Sequence, residues 1–318
     1  MHLGYRRAGW AGLLTAGVAF AAPAVVIVTL LAWGYVTWGT LPAVAAILAG
    51  LAPVIVAIVA HATAALGRAV LRGPLLIATA VLALIASLAG VPDLLVLLGG
   101  AVGGLFAWRP IGSASAAVLG VAPALFKPGV IGLAAIGAGT SVLGLGGLFA
   151  ACLKMGAVLF GSGYLLIALL RDEFVVRAPL LSERELLDAI AVGQLSPGPV
   201  FTTATFVGYL LFGLAGALVA TLGFALPAFA FVAASVPILA RLRSWAAARA
   251  ALDGVSAAVV GLLVAVSAAL GRSAIGDPIT AALAVGALVL LGTGRVNPAG
   301  LLLVGGGVGA LRGLFGAA

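Results

Sequence analysis

Apolar runs long enough to cross a lipid bilayer recur from residue 11 to the C-terminus, interrupted only by isolated charges, Pro and Gly. A hydrocarbon core about 30 Å thick needs roughly 20 apolar residues per helix. Charged residues make up 8% of the chain and hydrophobic ones 64%, whereas soluble domains carry about 25% charge. No water-soluble fold covers so much apolar surface with so few polar groups, so the chain is expected to be an all-α polytopic membrane protein. The 46 Gly and 15 Pro point to close helix packing and to broken or re-entrant helices of the transporter or channel kind. The net charge of +8 comes from Lys and Arg scattered in ones and twos, which reads as a topology signal rather than a nucleic-acid surface. Cys152 is the single cysteine, and His2 and His61 stand far apart, so neither a metal nor another cofactor is expected. No Ser–His, Asp–Asp or His–metal set can be assembled, and an enzyme is not expected.

Candidate spans fall near 11–33, 41–65, 74–90, 92–108, 129–148, 149–170, 197–212, 215–238, 251–270, 278–293 and 297–315. Arg6 and Arg7 before the first run imitate a signal peptide, but that run is too long for one and reads as a transmembrane helix. The segment 197–212 begins at Pro-Gly-Pro and reads as a half-helix. Residues 171–193 are the one charge-rich stretch; Ser182 and Glu185 form a capping box there. Leu186, Leu187, Ile190 and Ala191 follow as the apolar stripe of a short helix, expected to lie at the membrane surface or to re-enter the membrane.

Sliding the chain against itself reveals a repeat at a shift of 204. Gly4-Tyr5 matches Gly208-Tyr209, Gly9 matches Gly213, Pro23 matches Pro227, Gly50 matches Gly254, Leu66-Gly67-Arg68 matches Leu270-Gly271-Arg272, and Pro74 matches Pro278. Two homologous halves are expected, 1–110 and 149–318, joined by a Gly-rich connection at 111–148 that could hold one span. Arg6, Arg7, Arg68, Arg72 and Arg109 share one side if the spans between them alternate, whereas Arg241, Arg243, Arg249 and Arg295 fall on loops that correspond to the opposite side. The halves are therefore expected in inverted topology, with a substrate site near the midplane where they meet. The second copy has a lead-in of about 60 residues that the first lacks; either the start is late or the chain is a truncation.

That lead-in holds Lys154-Met155-Gly156, Phe160-Gly161-Ser162-Gly163-Tyr164, the acidic loop with Leu181-Ser182-Glu183, Asp188, Gln194, Pro197-Gly198-Pro199 and Phe206-Val207-Gly208-Tyr209. In these co-linear motifs the chain resembles the chromate transporter family. The resemblance implies chromate export across a cell inner membrane; direction and substrate come from the family and not from the residues.

The same residues, read physically, suit a tetrahedral oxyanion. Pro197 and Pro199 cannot continue a helix from the 180s and Gly198 permits a sharp turn, so a helix is expected to start at Pro199 with its free N–H groups aimed into the membrane. Thr202, Thr203 and Thr205 add hydroxyls, and Gln194 and Ser196 lie just before the break. The competing reading is a Pro-kinked helix with back-bonded threonines. Gly161, Ser162, Gly163 and Tyr164 either unwind the 149–170 segment or serve close helix packing. Lys154 either attracts a dianion or snorkels to the headgroups. Glu173, Glu185 and Asp188 are candidates for proton coupling, against a plainer role as solvated or capping carboxylates. Trp33, Tyr35 and Trp38 read as an interfacial belt. A sulfate or other oxyanion permease remains open, as does a non-transporting remnant or subunit needing a partner chain. The expected partners are a chromate- or sulfate-like oxyanion, lipid, and a second copy or partner chain.

Overall fold

The computed structural model describes residues 2–108, 144–159, 163–196, 200–242 and 246–315. Eleven α-helices run through them: α1 (His2–Trp38), α2 (Pro42–Val70), α3 (Pro74–Leu88), α4 (Asp93–Trp108), α5 (Leu145–Val158), α6 (Leu165–Arg171), α7 (Glu183–Leu195), α8 (Thr202–Leu242), α9 (Ala246–Ala274), α10 (Pro278–Gly292) and α11 (Pro298–Leu314). A six-residue π-helix, Asp172–Arg177, continues α6. There is no strand among the described residues. Parts of α1 and α8 and the whole of α2 and α9 are long and apolar enough to cross a membrane. The outer surface is itself apolar: Leu214, Leu218, Leu222 and Leu226, one turn apart on α8, are all exposed, as a lipid-facing stripe requires. The expected span at 129–148 lies largely outside the described residues.

Proline sets many of the helix starts. Pro42, Pro74, Pro278 and Pro298 each occupy the first turn, where a missing N–H costs nothing. Asp277 caps α10 by accepting from Ile279 N and Thr280 N, both at 2.8 Å, and Asn297 caps α11 through Ala299 N at 3.0 Å.

The repeat seen in the sequence reappears in the backbone. α2 and α9 have the same length and begin 204 residues apart, as do α3 and α10. α1 breaks at Ala8–Gly9 and α8 at Phe212–Gly213 with nearly identical dihedrals, the glycines at φ +56° and +61°. An L side chain rarely tolerates that region, which accounts for Gly at both positions. In α8 the break is a reversal. Thr205 Oγ1 and Thr221 Oγ1 are hydrogen-bonded at 2.8 Å, whereas sixteen residues of straight helix would separate them by about 24 Å. The arm 202–211 thus folds back on 214–242, so the two expected segments, 197–212 and 215–238, are the arms of one hairpin.

Helices far apart in the chain interlock. α2 packs on α10 and α11, while α9 packs on α3 and α4; α1 meets α8, and α2 meets α9. Gly67 lies against Val260 and Gly271 against Val56, so α2 and α9 run antiparallel. Glycine allows the closest approaches. A Cβ on Gly50 would strike the backbone of Gly305 and Gly309, and one on Gly254 the backbone of Gly100 and Gly104. Gly254→Ala is therefore expected to lower the melting temperature in detergent, with an overpacking cost of about 1–3 kcal/mol. Gly286→Ala, which meets open space, should be neutral or stabilising by the same measurement.

Candidate functional site

Two helix breaks supply the site. The first separates α5 from α6. Lys154 on α5 forms an ion pair with Glu173 of the π-helix, although nineteen residues of continuous helix would hold them about 28 Å apart. The chain consequently reverses direction between α5, which ends at Val158, and α6, which starts at Leu165. Glu173 is 5% exposed and Lys154 has a quarter of its side chain accessible. The lysine thus meets a buried counter-ion, as a charge within an apolar stretch needs.

The second break follows α7. Ser182 Oγ accepts from Glu185 N at 3.1 Å and Ser182 N donates to the Glu185 carboxylate at 2.8 Å, so the capping box starts this helix and engages Glu185 in it. α7 does not lie on the surface of the protein. Leu186 through Gly193 are all buried, and α7 packs against α1, α2, α6, α8, α9 and α11. An amphipathic stripe was expected; instead every side of these two turns is covered by other helices. At 13 residues α7 is too short to span a bilayer, and it delivers its C-terminal end into the interior.

The breaks meet there. A Cβ on Gly163 would lie 3.2 Å from Val200 Cγ2. The carboxamide of Gln194 interacts with the half-buried Tyr164 hydroxyl, and Gln194 Nε2 is buried without a hydrogen-bond partner. Ser196 Oγ and Thr202 Oγ1 lie 3.4 Å apart across the second break, and Gly193 packs against Thr203 Oγ1 so closely that a side chain there would collide with it. Thr202, Thr203 and Thr205 are all buried. The first turn of α8 closes from Thr203 N to Val200 O at 3.1 Å and from Ala204 N to Phe201 O at 2.9 Å; the α-helix proper begins at Thr202 rather than at the expected Pro199. Phe201 stacks on Phe224 at 5.7 Å and walls one side. Gly161, Ser162, Pro197, Gly198 and Pro199 lie outside the described residues. The arrangement presents hydroxyl and amide donors and a helix N-terminus within an apolar shell, groups that bind anions without titrating.

Gly163, Tyr164, Gln194, Ser196, Thr202 and Thr203 are thus brought together, Lys154 and Glu173 pair with each other, and Thr205 turns to Thr221. Glu185 and Asp188 stand apart on the first half of α7. Two residues escaped the sequence reading. Tyr35, read as part of an interfacial belt, donates its hydroxyl to Asp188 Oδ2 at 2.9 Å and sets its ring edge-on to Phe206, whereas Trp33 and Trp38 are exposed. Asp93, 6% exposed at the start of α4, faces Asp172, Arg177 and Arg171; Arg177 pairs with Asp172 and Arg171 with Glu183. An acid at the edge of an apolar run was the available signal for Asp93. Among the described residues no group of three or more His, Cys, Asp or Glu could hold a metal ion.

The ion pair gives a stability test. Lys154→Gln leaves Glu173 buried and unpaired, at a cost toward the low end of about 3–5 kcal/mol because the lysine is partly exposed. Adding Glu173→Gln should recover most of it. Thermal unfolding of the two single variants and the double variant measures the coupling, and additive effects would mean that the pair carries none.

A family profile described as Chromate transporter matches residues 1–105 and 146–310. The chromate transport protein of Cupriavidus metallidurans is 30% identical over 293 residues, covering 92% of this chain and 72% of that protein. The chromate transport protein of Pseudomonas aeruginosa is 32% identical over 274 residues, 83% of this chain and 64% of that one. A probable chromate transport protein of Synechococcus elongatus is 28% identical over 293 residues, 87% and 70% of the two chains. No solved structure matches. With the profile spanning both sets of repeated helices and the two breaks between them, this multi-pass helical chain belongs to the chromate transporter family.

Proposed function

We propose that this chain carries chromate across a cell inner membrane and exports it. The reading rests on one observation: two helix breaks of a chromate transporter family member meet in its interior, at Gly163 with Val200 and at Tyr164 with Gln194. Irregular backbone at membrane depth is tolerated where it lines a cavity or is buried in protein. The uncharged donors there, the Gln194 amide and the hydroxyls of Tyr164, Ser196, Thr202 and Thr203, can replace part of the hydration shell of a tetrahedral dianion. An inside-negative potential drives such an ion outward, by about 2.3 kcal/mol per charge per 100 mV. The same donors fit sulfate, so competition by sulfate measures specificity.

Transport follows from the two halves, which we read as 1–110 and 149–318 with 111–148 between them. The antiparallel course of α2 and α9 supports an inverted arrangement, in which one half rocks against the other around the site.

Everted vesicles holding the full chain should take up chromate in a saturable way, and Gln194→Leu should raise the half-saturating concentration about tenfold or more, the usual weight of hydrogen bonds to a charged group. Absence of uptake, with normal insertion, would sink the transport reading. For the orientation, Cys introduced at Arg72 and at Arg249 in a Cys152→Ala background should both resist an impermeant thiol reagent applied from outside. Labelling of one and not the other would refute the inversion.

A further inference from the structure

Asp188 is 3% exposed, and among the described residues it forms no ion pair; its hydrogen bond comes from the Tyr35 hydroxyl. The titratable groups that face it are Tyr35 on α1 and Arg184 and Glu185 on its own helix. Among the described residues, the other helices packed on α7, namely α2, α6, α8, α9 and α11, bring it none. Arg184, one turn earlier, is exposed, and Glu185 is engaged in the cap. A lone buried carboxylate is costly, and a proton is the simplest group to relieve it.

Tyr35 and Glu185 line an open cavity of about 370 Å³ together with Gly39, Thr40 and Leu180. Asp188 does not itself line that cavity; Tyr35 does, and its hydroxyl, which can both donate and accept, is the group hydrogen-bonded to Asp188. Asp188 also precedes Gln194 by six residues, a helical rise of about 9 Å. Across an interior of low dielectric, an ionised Asp188 repels a dianion at the break. Lys154 does little to offset it, because Glu173 already balances that charge.

We infer that Asp188 is a proton-binding group linked to the oxyanion site, reached through the Tyr35 cavity, so that the dianion binds best when this carboxyl is protonated. The inference rests on the reading of the two breaks as the oxyanion site. The step is a bare proton transfer: an O–H bond of a protonated water breaks and its proton passes by way of the Tyr35 hydroxyl, which accepts one proton and gives up its own, to form an O–H bond on the Asp188 carboxylate; the proton returns to water by the same route when the dianion leaves. By reciprocity, whatever factor the proton adds to dianion affinity, the dianion adds to proton affinity. Tyr35 is a positioning residue; its donated hydrogen bond favours the charged carboxylate and so holds the group poised between its two forms.

The test uses the purified full chain in detergent, with chromate as the probe. Affinity is measured by calorimetry at about pH 8, well above the ordinary range of an Asp carboxyl, and proton uptake on binding is followed with an indicator dye in weak buffer across lower pH. Chromate takes up a proton of its own near neutrality, and that contribution is common to all variants and subtracts out. The wild type should take up a fraction of a proton per chromate bound. Asp188→Asn, which mimics the protonated form, should bind fivefold tighter or more at the higher pH and lose that uptake. Tyr35→Phe should keep the uptake but shift its half-point to higher pH, a change that a purely structural role would not produce. Equal affinity and equal uptake for wild type and Asp188→Asn would overturn the inference and leave the oxyanion site standing. No chromate binding by the wild type at any pH would instead overturn the site and the inference with it. Should Asp188→Asn not fold, Tyr35→Phe decides, since an unmoved half-point would refute the linkage.

Discussion

Backbone-to-backbone contact across glycine is the constraint on which the layout depends. Gly50 accepts the backbone of Gly305 and Gly309, and Gly254 that of Gly100 and Gly104. In lipid there is no hydrophobic drive to bring two apolar helices together, so helices associate by packing and hydrogen bonding, and small residues permit the closest packing. Both contacts join helices far apart in the chain. They lock α2 to α11 and α9 to α4.

That lock permits what a membrane otherwise forbids. The chain is interrupted between α5 and α6 and again between α7 and α8, where backbone groups lose their helical partners. Facing lipid, each unpaired group would cost several kcal/mol. Here the described residues beside the breaks are packed: α7 is covered by six neighbouring helices, Phe201 stacks on Phe224, and Val200 closes against Gly163. The close contact between Gly193 and Thr203 keeps the end of α7 and the start of α8 in register. A scaffold of long helices thus carries a polar interior made of short ones.

Charge follows the same division. Lys154 and Glu173 cancel one another, Arg171 pairs with Glu183, and Arg177 with Asp172, so these three cations hold α5, α6, the π-helix and α7 together. Neutral donors remain at the break. Asp188 is different in kind, because its partner is a phenol and not a cation, and a carboxylate so placed keeps a choice of protonation state that a salt bridge would remove.

Local chemistry made much of this legible in the residues. Hydrophobic length implies membrane helices, Pro at a first turn and the Ser182–Glu185 box mark helix starts, and the shift of 204 anticipates matching elements down to the paired turns at Gly9 and Gly213. Each of those signals is carried by neighbours in the chain or by a fixed periodicity, and backbone sterics alone enforce it. The family resemblance was legible for a related reason, since co-linear motifs survive without knowledge of their contacts. What stayed hidden was pairing at a distance. Tyr35 and Asp188 are 153 positions apart, and nothing about a tyrosine beside two exposed tryptophans distinguishes it from them. The burial of α7 on every side and the counter-ion of Lys154 were equally invisible, because a helix stripe or a lone charge has several energetically acceptable environments. Which one it occupies depends on where the other helices pack, and that depends on long-range contacts such as those at Gly50 and Gly254.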